Sequence, residues 1–583
     1  MSQESGFRTP VVSELELLGQ RLIAPTRRET PWSFGGVEYD TSIKAEDLFS
    51  QRTWGSLRVV LAWDSAPTYG TDGMTPTLRV HQEKLVPLMV ENPSRRQLEG
   101  LVEICEAHGV FKIKLDPATG LVETCAADEN PAMHVNRWVT DSVRTLGLLD
   151  SVQQSRVLET LARFYGTPTE QAAFRACIEQ PGYYQADRKH GVAHIFQVNG
   201  DDLVRDSGWF NNARLESHAL ALGAFADDLL LGGEPSEAKL HATASLALYL
   251  EAIGYATAPS AGCWEEIPFP GGLTWDTEAG RAGFTKLKWL SQERPGVWSR
   301  LMESVSRGQW NFATRLGRVG GLDELISQGL DRVRETYLAE APGRREHDAA
   351  LVFVAQSPDL KLSDNPLVDL HRFELLLLTL EENLIRNQGM IRYAPFRLDP
   401  HDEVRLPDSY LACNYWLALD ETGCFNPPRT RLLQEFGSKD ASDPVVFRAR
   451  SALAITDREA EWFMSSDLSR AWSRQVERIR HVRSLDLGDN ASLNVAEDLA
   501  MRYAVLNLYR SLARITGPGS VKANGMPCPE WSVPEAWEWV RVRRQAVGGG
   551  DGFVERSFPG VNTPLAWAQV SLKKALKALA FQL

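Results

Sequence analysis

Apolar residues recur at spacings of three and four through most of this chain, the spacing that gives a helix one buried face. In the segment beginning near Ser94, the residues Leu98, Leu101, Val102 and Cys105 fall on one side. From there to the carboxyl terminus, amphipathic stretches of about 12 to 20 residues alternate with Gly-, Pro- and Asp-rich loops, the pattern of successive helices. They begin near Asn136, Ser151, Asn212, Glu237, Thr277, Leu322, Leu367, Asp457, Val495 and Pro564. Strand-like alternation is sparse there, with Phe111-Lys-Ile-Lys-Leu115 as one short piece. The amino-terminal part differs: short β-branched or aromatic runs such as Leu57-Arg-Val-Val-Leu-Ala-Trp63 are broken by turn clusters such as Tyr69-Gly-Thr-Asp-Gly73. The pattern divides the chain into a small mixed extension, residues 1–94, and a long helical domain, residues 95–583. No short repeat is visible, which argues against a solenoid. A large all-α bundle or a closed ring of helix pairs remains, and in a ring the loops collect at one mouth where a site can form.

Composition narrows the partner. Hydrophobic residues at 43% and charged residues at 24% describe an ordinary water-soluble globular chain. The formal net charge of -13 argues against nucleic acid or an anionic membrane surface as partner, because both would be repelled at long range. A neutral ligand fits better. Seven cysteines, few and widely spaced with no C-x-x-C pair, support neither a disulfide framework nor a zinc knuckle, so reduced thiols are expected. The amino terminus lacks a secretory pattern, and the longest apolar run, Leu375-Leu-Leu-Leu-Thr-Leu380, is too short to span a bilayer, so the expected location is cytoplasmic. Seventeen tryptophans and 22 phenylalanines can stack on the C–H faces of sugar rings, although most such residues are core.

The candidate chemistry lies in loops. In Gly262-Cys-Trp-Glu-Glu-Ile-Pro-Phe-Pro-Gly271 two adjacent carboxylates, Glu265 and Glu266, follow an indole, Trp264. An aromatic wall strips solvation from a carboxylate and raises its pKa, which suits an acid that must hold a proton near neutral pH. The plain alternative is two surface glutamates beside a core tryptophan. Glycoside hydrolysis with inversion needs a second carboxylate about 6.5 to 9.5 Å from the acid, to activate water on the opposite face of the sugar. Glu535 is the candidate, in Val533-Pro-Glu-Ala-Trp537 with Trp531 and Trp537 as aromatic neighbours. Read plainly, it is a first-turn helix glutamate, and Arg541-Val-Arg-Arg544 is a solvated helix face. His190 and His194 are four apart, but Gly191 follows His190 where H-E-x-x-H needs glutamate, so no metal is expected. Gly548-Gly-Gly-Asp-Gly552 lacks the context of a phosphate loop and reads as a flexible linker. No cofactor motif is present.

Taken in order, these motifs resemble those of the glucoamylase-type family 15 glycoside hydrolases and the related amino-terminal domain of phosphorylase kinase regulatory subunits. The segments are Arg137-Trp-Val-Thr-Asp-Ser142, Trp264-Glu265-Glu266, Gly389-Met-Ile-Arg392-Tyr393, Pro534-Glu535-Ala536 and Thr563-Pro-Leu-Ala-Trp567. His194-Ile-Phe-Gln-Val-Asn-Gly200, with Trp209 and Arg214-Leu-Glu216 after it, is similar to the kinase-subunit version. The resemblance implies an (α/α)6 barrel, a six-hairpin toroid, and inverting, exo-acting removal of glucose from an α-glucoside. It implies Glu265 as general acid, Glu535 as base, and Glu266, Asp141 and Arg392 holding the glucose. Trp138, Trp209 and Trp264 become candidates for stacking, and Arg214, Glu216, Tyr393 and Trp567 complete the expected substrate-binding set. Three departures stand out. Thr140 occupies the place of an arginine that usually precedes the early aspartate, Ala536 replaces the glutamine after the base, and Glu216 stands where aspartate is usual. Losing the arginine removes a bidentate contact and shifts the expected preference away from ordinary maltose or starch ends. With no obvious starch-binding module, a small or soluble glucoside is expected. A sugar-sensing regulatory domain without catalysis is the competing reading.

Overall fold

A computed structural model describes residues 102–103, 105–124, 136–186, 191–199, 202–205, 214–232, 234–263, 271–343, 345–357 and 360–363. It also describes shorter pieces of the two terminal regions and the strands and helix named below for them. The chain divides into two compact units, one of residues Met1–Lys112, His347–Pro358 and Ser363–Leu583, the other of Ile113–Glu346 and Asp359–Leu362.

In the first unit the expected amino-terminal strands are present. Strands β1 (Ser33–Phe34) and β2 (Val37–Glu38) pair with each other, as do β3 (Leu57–Ala62) and β6 (Gln82–Pro87), and β4 (Ala66–Tyr69) pairs with β5 (Pro76–Arg79).

The second unit is mostly helical. A three-stranded antiparallel sheet, β7 (Asn136–Trp138), β8 (Ile195–Asn199) and β9 (Asp202–Arg205), accompanies nine helices among its described residues. These are α1 (Val139–Thr145), α2 (Ser151–Tyr165), α3 (Pro168–Glu179), α4 (Pro181–Ala186), α5 (Leu215–Leu231), α6 (Glu237–Ile253), α7 (Thr274–Glu293), α8 (Pro295–Arg307) and α9 (Gly321–Thr336). Local chemistry starts several of them. Asp150 and Gln153 form a reciprocal capping box on α2, Thr167 caps α3 ahead of Pro168, and the Ser236 hydroxyl caps α6. Helix α5 packs against α1, α6 and α7, while α6 also packs against α2, α3 and α8. The fully buried rings lie in this arrangement: Phe164 stacks on Phe196 at 4.1 Å, and Tyr249 meets Phe174, Tyr184 and His218 edge-on at 5.7, 6.1 and 5.5 Å. Tyr255 passes between α7 and α9 through two glycine notches. A Cβ at Gly280 would lie 2.3 Å from its ring and one at Gly329 2.3 Å from its hydroxyl, which donates to the Leu325 carbonyl at 2.8 Å.

Returning to the first unit, α10 (Leu351–Gln356), β10 (Ile385–Arg386), β11 (Gly389–Met390), β12 (Trp537–Arg544), β13 (Gly552–Pro559) and α11 (Ala566–Gln582) are described. The sheet order is β13-β12-β5-β4. Strand β12 corrects two expectations: Glu535 precedes a strand and not a helix, and Arg541–Arg544 belong to that strand. The register runs from Trp537↔Pro559 to Arg544↔Gly552. Alternation through Trp537, Trp539, Arg541 and Arg543, with Val540 and Val542 between, suits a pleated strand, and the partner β13 decides the matter. Gly552 is itself part of β13, and residues 548–551, expected as a flexible linker, lie outside the described residues.

Other differences are smaller. Residues 136–138 form β7 where a helix start was expected, helix α7 begins at Thr274, ahead of Thr277, and α11 begins at Ala566, leaving Pro564 outside its first turn. Phe111–Leu115 contributes only a bridge, Leu115 to Val122. The helices expected near Asp457 and Val495, and most of the one near Leu367, lie outside the described residues. No helix among the described residues is long and apolar enough to cross a membrane.

Candidate functional site

The described part of the candidate site stands at the heads of α5 and α7, next to α1. Strand β7 runs directly into α1, so Trp138 and Asp141 are fixed within three residues of each other, and both are buried. The Asp141 Oδ2 accepts a hydrogen bond from the Thr124 hydroxyl at 2.6 Å. At the departure from the family pattern, Thr140 Oγ1 and Ser217 Oγ lie 2.6 Å apart and link α1 to α5.

Arg214, just before α5, and Glu216, in its first turn, form the centre. Arg214 Nε donates to Glu216 Oε2 at 3.0 Å, and Arg144 Nη2 reaches from α1 to Oε1 at 3.0 Å. Burial alone pushes the Glu216 carboxyl up, but the two guanidiniums outweigh it and hold the group below the usual carboxylate range. The Arg144 guanidinium also lies over the Trp275 ring, 5.9 Å from its centre. Arg214 Nη2 donates to the carbonyl of Cys263 at 3.1 Å.

That carbonyl belongs to the residue immediately before Trp264. The turn leading to it is set by Ser260, whose hydroxyl oxygen accepts from Leu215 N at 3.3 Å and Gly262 N at 3.2 Å. Gly262 has φ of 69°, and a Cβ there would meet Leu273 at 2.6 Å, so both backbone and space require glycine. Thr274 N and Trp275 N, at the head of α7, donate to the carbonyl and the Oε2 of Glu340 at 3.0 and 3.1 Å. The next residue, Asp276, is 1% exposed. Neither of its carboxyl oxygens has a hydrogen-bond partner among the described residues. Burial first, and then the charge of Glu216, push the Asp276 carboxyl up to about 7.

Two buried groups lie deeper. His218 Nε2 donates to Val192 O at 3.0 Å, which leaves Nδ1 to accept from Tyr165 OH at 3.3 Å. Burial pushes this imidazole down to about 3. Glu170 is chelated by Arg205 at 2.8 and 2.9 Å and accepts from Ala193 N, which ties α3 to β9 and to the segment before β8.

No protein-family model matches the sequence, and no curated protein does. Among solved structures the chain is similar to the glucoamylase of Hormoconis resinae, with 14% identity over 84% of this chain and 74% of that one, at a TM-score of 0.40. It is also similar to a glycosidase variant in complex with glucose, with 12% identity over 84% of this chain and 99% of that one, at a TM-score of 0.42. A likeness at this level speaks neither to substrate nor to catalytic residues.

Of the residues expected from sequence, Trp138, Asp141, Arg214 and Glu216 are described, all in the second unit and all buried, with Arg214 and Glu216 in direct contact. Both oxygens of Glu216 are engaged by arginines. Glu265, Glu535, Trp209, Trp264, Glu266, Arg392 and Tyr393 lie outside the described residues, and Trp567 is in α11 with its side chain outside them. Among the described residues no group of three or more His, Cys, Asp or Glu could hold a metal ion, and His194 is buried just before β8. Sequence reading missed Arg144, Ser260, Trp275, Asp276 and Glu340. A signal existed for two of them: Arg144 is three residues after Asp141, on the same helical face, and Asp276 is an acid in the first turn of a helix.

Proposed function

We propose that the chain is an inverting, exo-acting α-glucosidase that releases glucose from a short or soluble α-glucoside. Its helical domain, residues 95–583, is a six-hairpin (α/α)6 ring, and residues 1–94 are an appended extension. Glu265 protonates the leaving oxygen and Glu535 activates water on the opposite face of the sugar. Glu266, Asp141 and Arg392 hold the glucose hydroxyls, and Trp138, Trp209 and Trp264 stack on the ring. The protein works in the cytoplasm on a neutral ligand.

One observation supports this reading above the others: Arg214, fixed by buried Glu216, holds the Cys263 carbonyl directly ahead of Trp264-Glu265-Glu266. An acid must be presented to a leaving atom within a fraction of an ångström, and a guanidinium clamp on the preceding peptide supplies that restraint. Buried ion pairs at helix heads are expensive to desolvate, so a cluster with two arginines and several carboxyls favours a polar ligand.

Incubation of purified protein with maltose, isomaltose, trehalose, nigerose, kojibiose and starch tests it. Glucose release from at least one short glucoside is expected. Release from none, with a sugar still bound, would move the assignment to a sugar-sensing domain.

A further inference from the structure

Trp531 has a left-handed backbone, with φ of 54°, a conformation that a bulky side chain rarely adopts. Thr516 holds it there. The Trp531 N–H donates to the Thr516 carbonyl at 2.7 Å and the Thr516 N–H to the Ser532 carbonyl at 3.0 Å. The Thr516 hydroxyl accepts from Ser532 N at 2.8 Å and donates to the Pro529 carbonyl at 2.6 Å. Ser532 and Val533, which follow, are buried, but the indole itself is only half-buried. It stacks on the exposed His108 imidazole, with ring centres 4.0 Å apart and planes 27° from parallel. His108 is fixed as well. Gly109, with φ of 73°, ends the helical turn before it, where Val110 N and Gly109 N close on the carbonyls of Cys105 and Glu106 at 2.8 and 3.0 Å. On either side of His108, Glu106 pairs with Lys573 of α11 at 2.7 Å, and the Phe111 ring centre lies 5.6 Å from the same ammonium.

A turn that needed only this backbone would be met by glycine at no steric cost, so the side chain is the reason for a tryptophan there. Among the described residues no second ring meets the indole. One ring backed by another, with both backbones held, is a flat and pre-ordered surface, on which a pyranose can lay its C–H face with little loss of protein entropy. We propose that Trp531, backed by His108, is a stacking platform for the sugar ring next to the terminal glucose of an α-glucoside. Four residues of chain span at most about 14 Å, so Trp531 stays within the reach of a few sugar rings from Glu535 in any conformation. The residues expected around the terminal glucose, Trp138 and Asp141, are buried, whereas a half-buried indole on an exposed imidazole suits a ring that stays partly in water. The choice of ligand rests on the hydrolase reading, but the platform has its own readout in sugar binding. No covalent bond changes.

The test compares the full chain with Trp531→Gly, which removes the ring and suits the left-handed backbone, and with Trp531→Phe, which keeps a ring on His108 and carries the comparison should the glycine variant fold poorly. All three also carry Glu265→Gln so that no ligand is consumed, and calorimetric titration measures binding of maltose, isomaltose, trehalose, nigerose and kojibiose, and of glucose alone. For the disaccharide bound best, Kd is expected to rise about tenfold in Trp531→Gly and about threefold in Trp531→Phe, while Kd for glucose changes by less than about twofold. An equal loss for glucose and disaccharide, or no loss for either, would overturn the proposal, and so would a wild-type ring that binds no disaccharide. With Glu265 restored, hydrolysis of a disaccharide whose KM is unchanged by Trp531→Gly would overturn the platform and leave the hydrolase reading standing. Disaccharide binding that depends on Trp531, in a protein that hydrolyses none of these sugars, would sink the hydrolase reading and leave the platform standing.

Discussion

Arg144 reaches from α1 to Glu216 at the head of α5, joining residues 72 positions apart through a bond of 3.0 Å from Nη2 to Oε1. Because Glu216 is fully buried, its charge is tolerated only while both arginines are present. Replacing Arg144 by leucine strands half of that charge and is expected to cost about 3 kcal/mol of stability, within the range for breaking a buried pair. Urea unfolding of the variant measures it. Glu216→Gln should cost at least as much as Arg144→Leu, since it leaves both guanidiniums, 14% and 6% exposed, without their countercharge.

Two buried titrating groups oppose each other across acidic pH. The Asp276 carboxyl is raised from 3.8 to about 7, so between those values the folded state holds a proton that the unfolded chain lacks. Its contribution to stability therefore falls as pH rises toward 7 and stays low above it. His218 is lowered from 6.5 to about 3, so its contribution is complete above 6.5 and is lost as pH falls toward 3. The two slopes largely cancel between about pH 4 and about pH 6.5. Asp276→Asn should unmask the histidine, steepening the loss of stability on acidification while making the protein more stable than wild type at pH 8. Denaturation midpoints across this range decide it; parallel curves for both proteins would contradict it.

Tyr255 threads the notches of Gly280 and Gly329, where an added Cβ would come within 2.3 Å of it. Gly280→Ala should cost about 1 to 3 kcal/mol by overpacking, despite the better helix propensity of alanine. Combining it with Tyr255→Leu should recover most of the loss, because the clash is then absent. Thermal unfolding of the single and double variants tests the coupling.

For the reaction itself, Glu265→Gln and Glu535→Gln should each lower kcat on a hydrolysed glucoside by at least about a thousandfold, with binding of a glucose-like inhibitor largely retained. The first product should be β-glucose, seen by proton NMR before mutarotation. Early α-glucose would exclude inversion.

Much of the helical architecture is written locally. Asp150 with Gln153 and Ser236 mark helix starts through groups within three residues of one another, so the starts expected near Ser151 and Glu237 are legible locally; Thr167 and Pro168 mark α3 in the same way, although apolar spacing did not single that helix out. Cys263 and Glu265 are likewise neighbours in any conformation. Strand β12 was different: its alternation is visible, but tryptophans and valines suit either state, and only pairing with β13 selected the strand. What tertiary structure alone decided is which polar residues are buried and with whom. Local sequence marks Arg144 by its place beside Asp141, Asp276 as a first-turn acid and Glu216 by motif, but it does not say that any of them is withdrawn from water while the charges of α8 stay exposed. Their character comes from the packing of α1, α5 and α7, which removes water, gives both arginines to Glu216 and leaves Asp276 without one. Desolvation and charge proximity depend on distances across the fold, and sequence spacing carries no record of those distances.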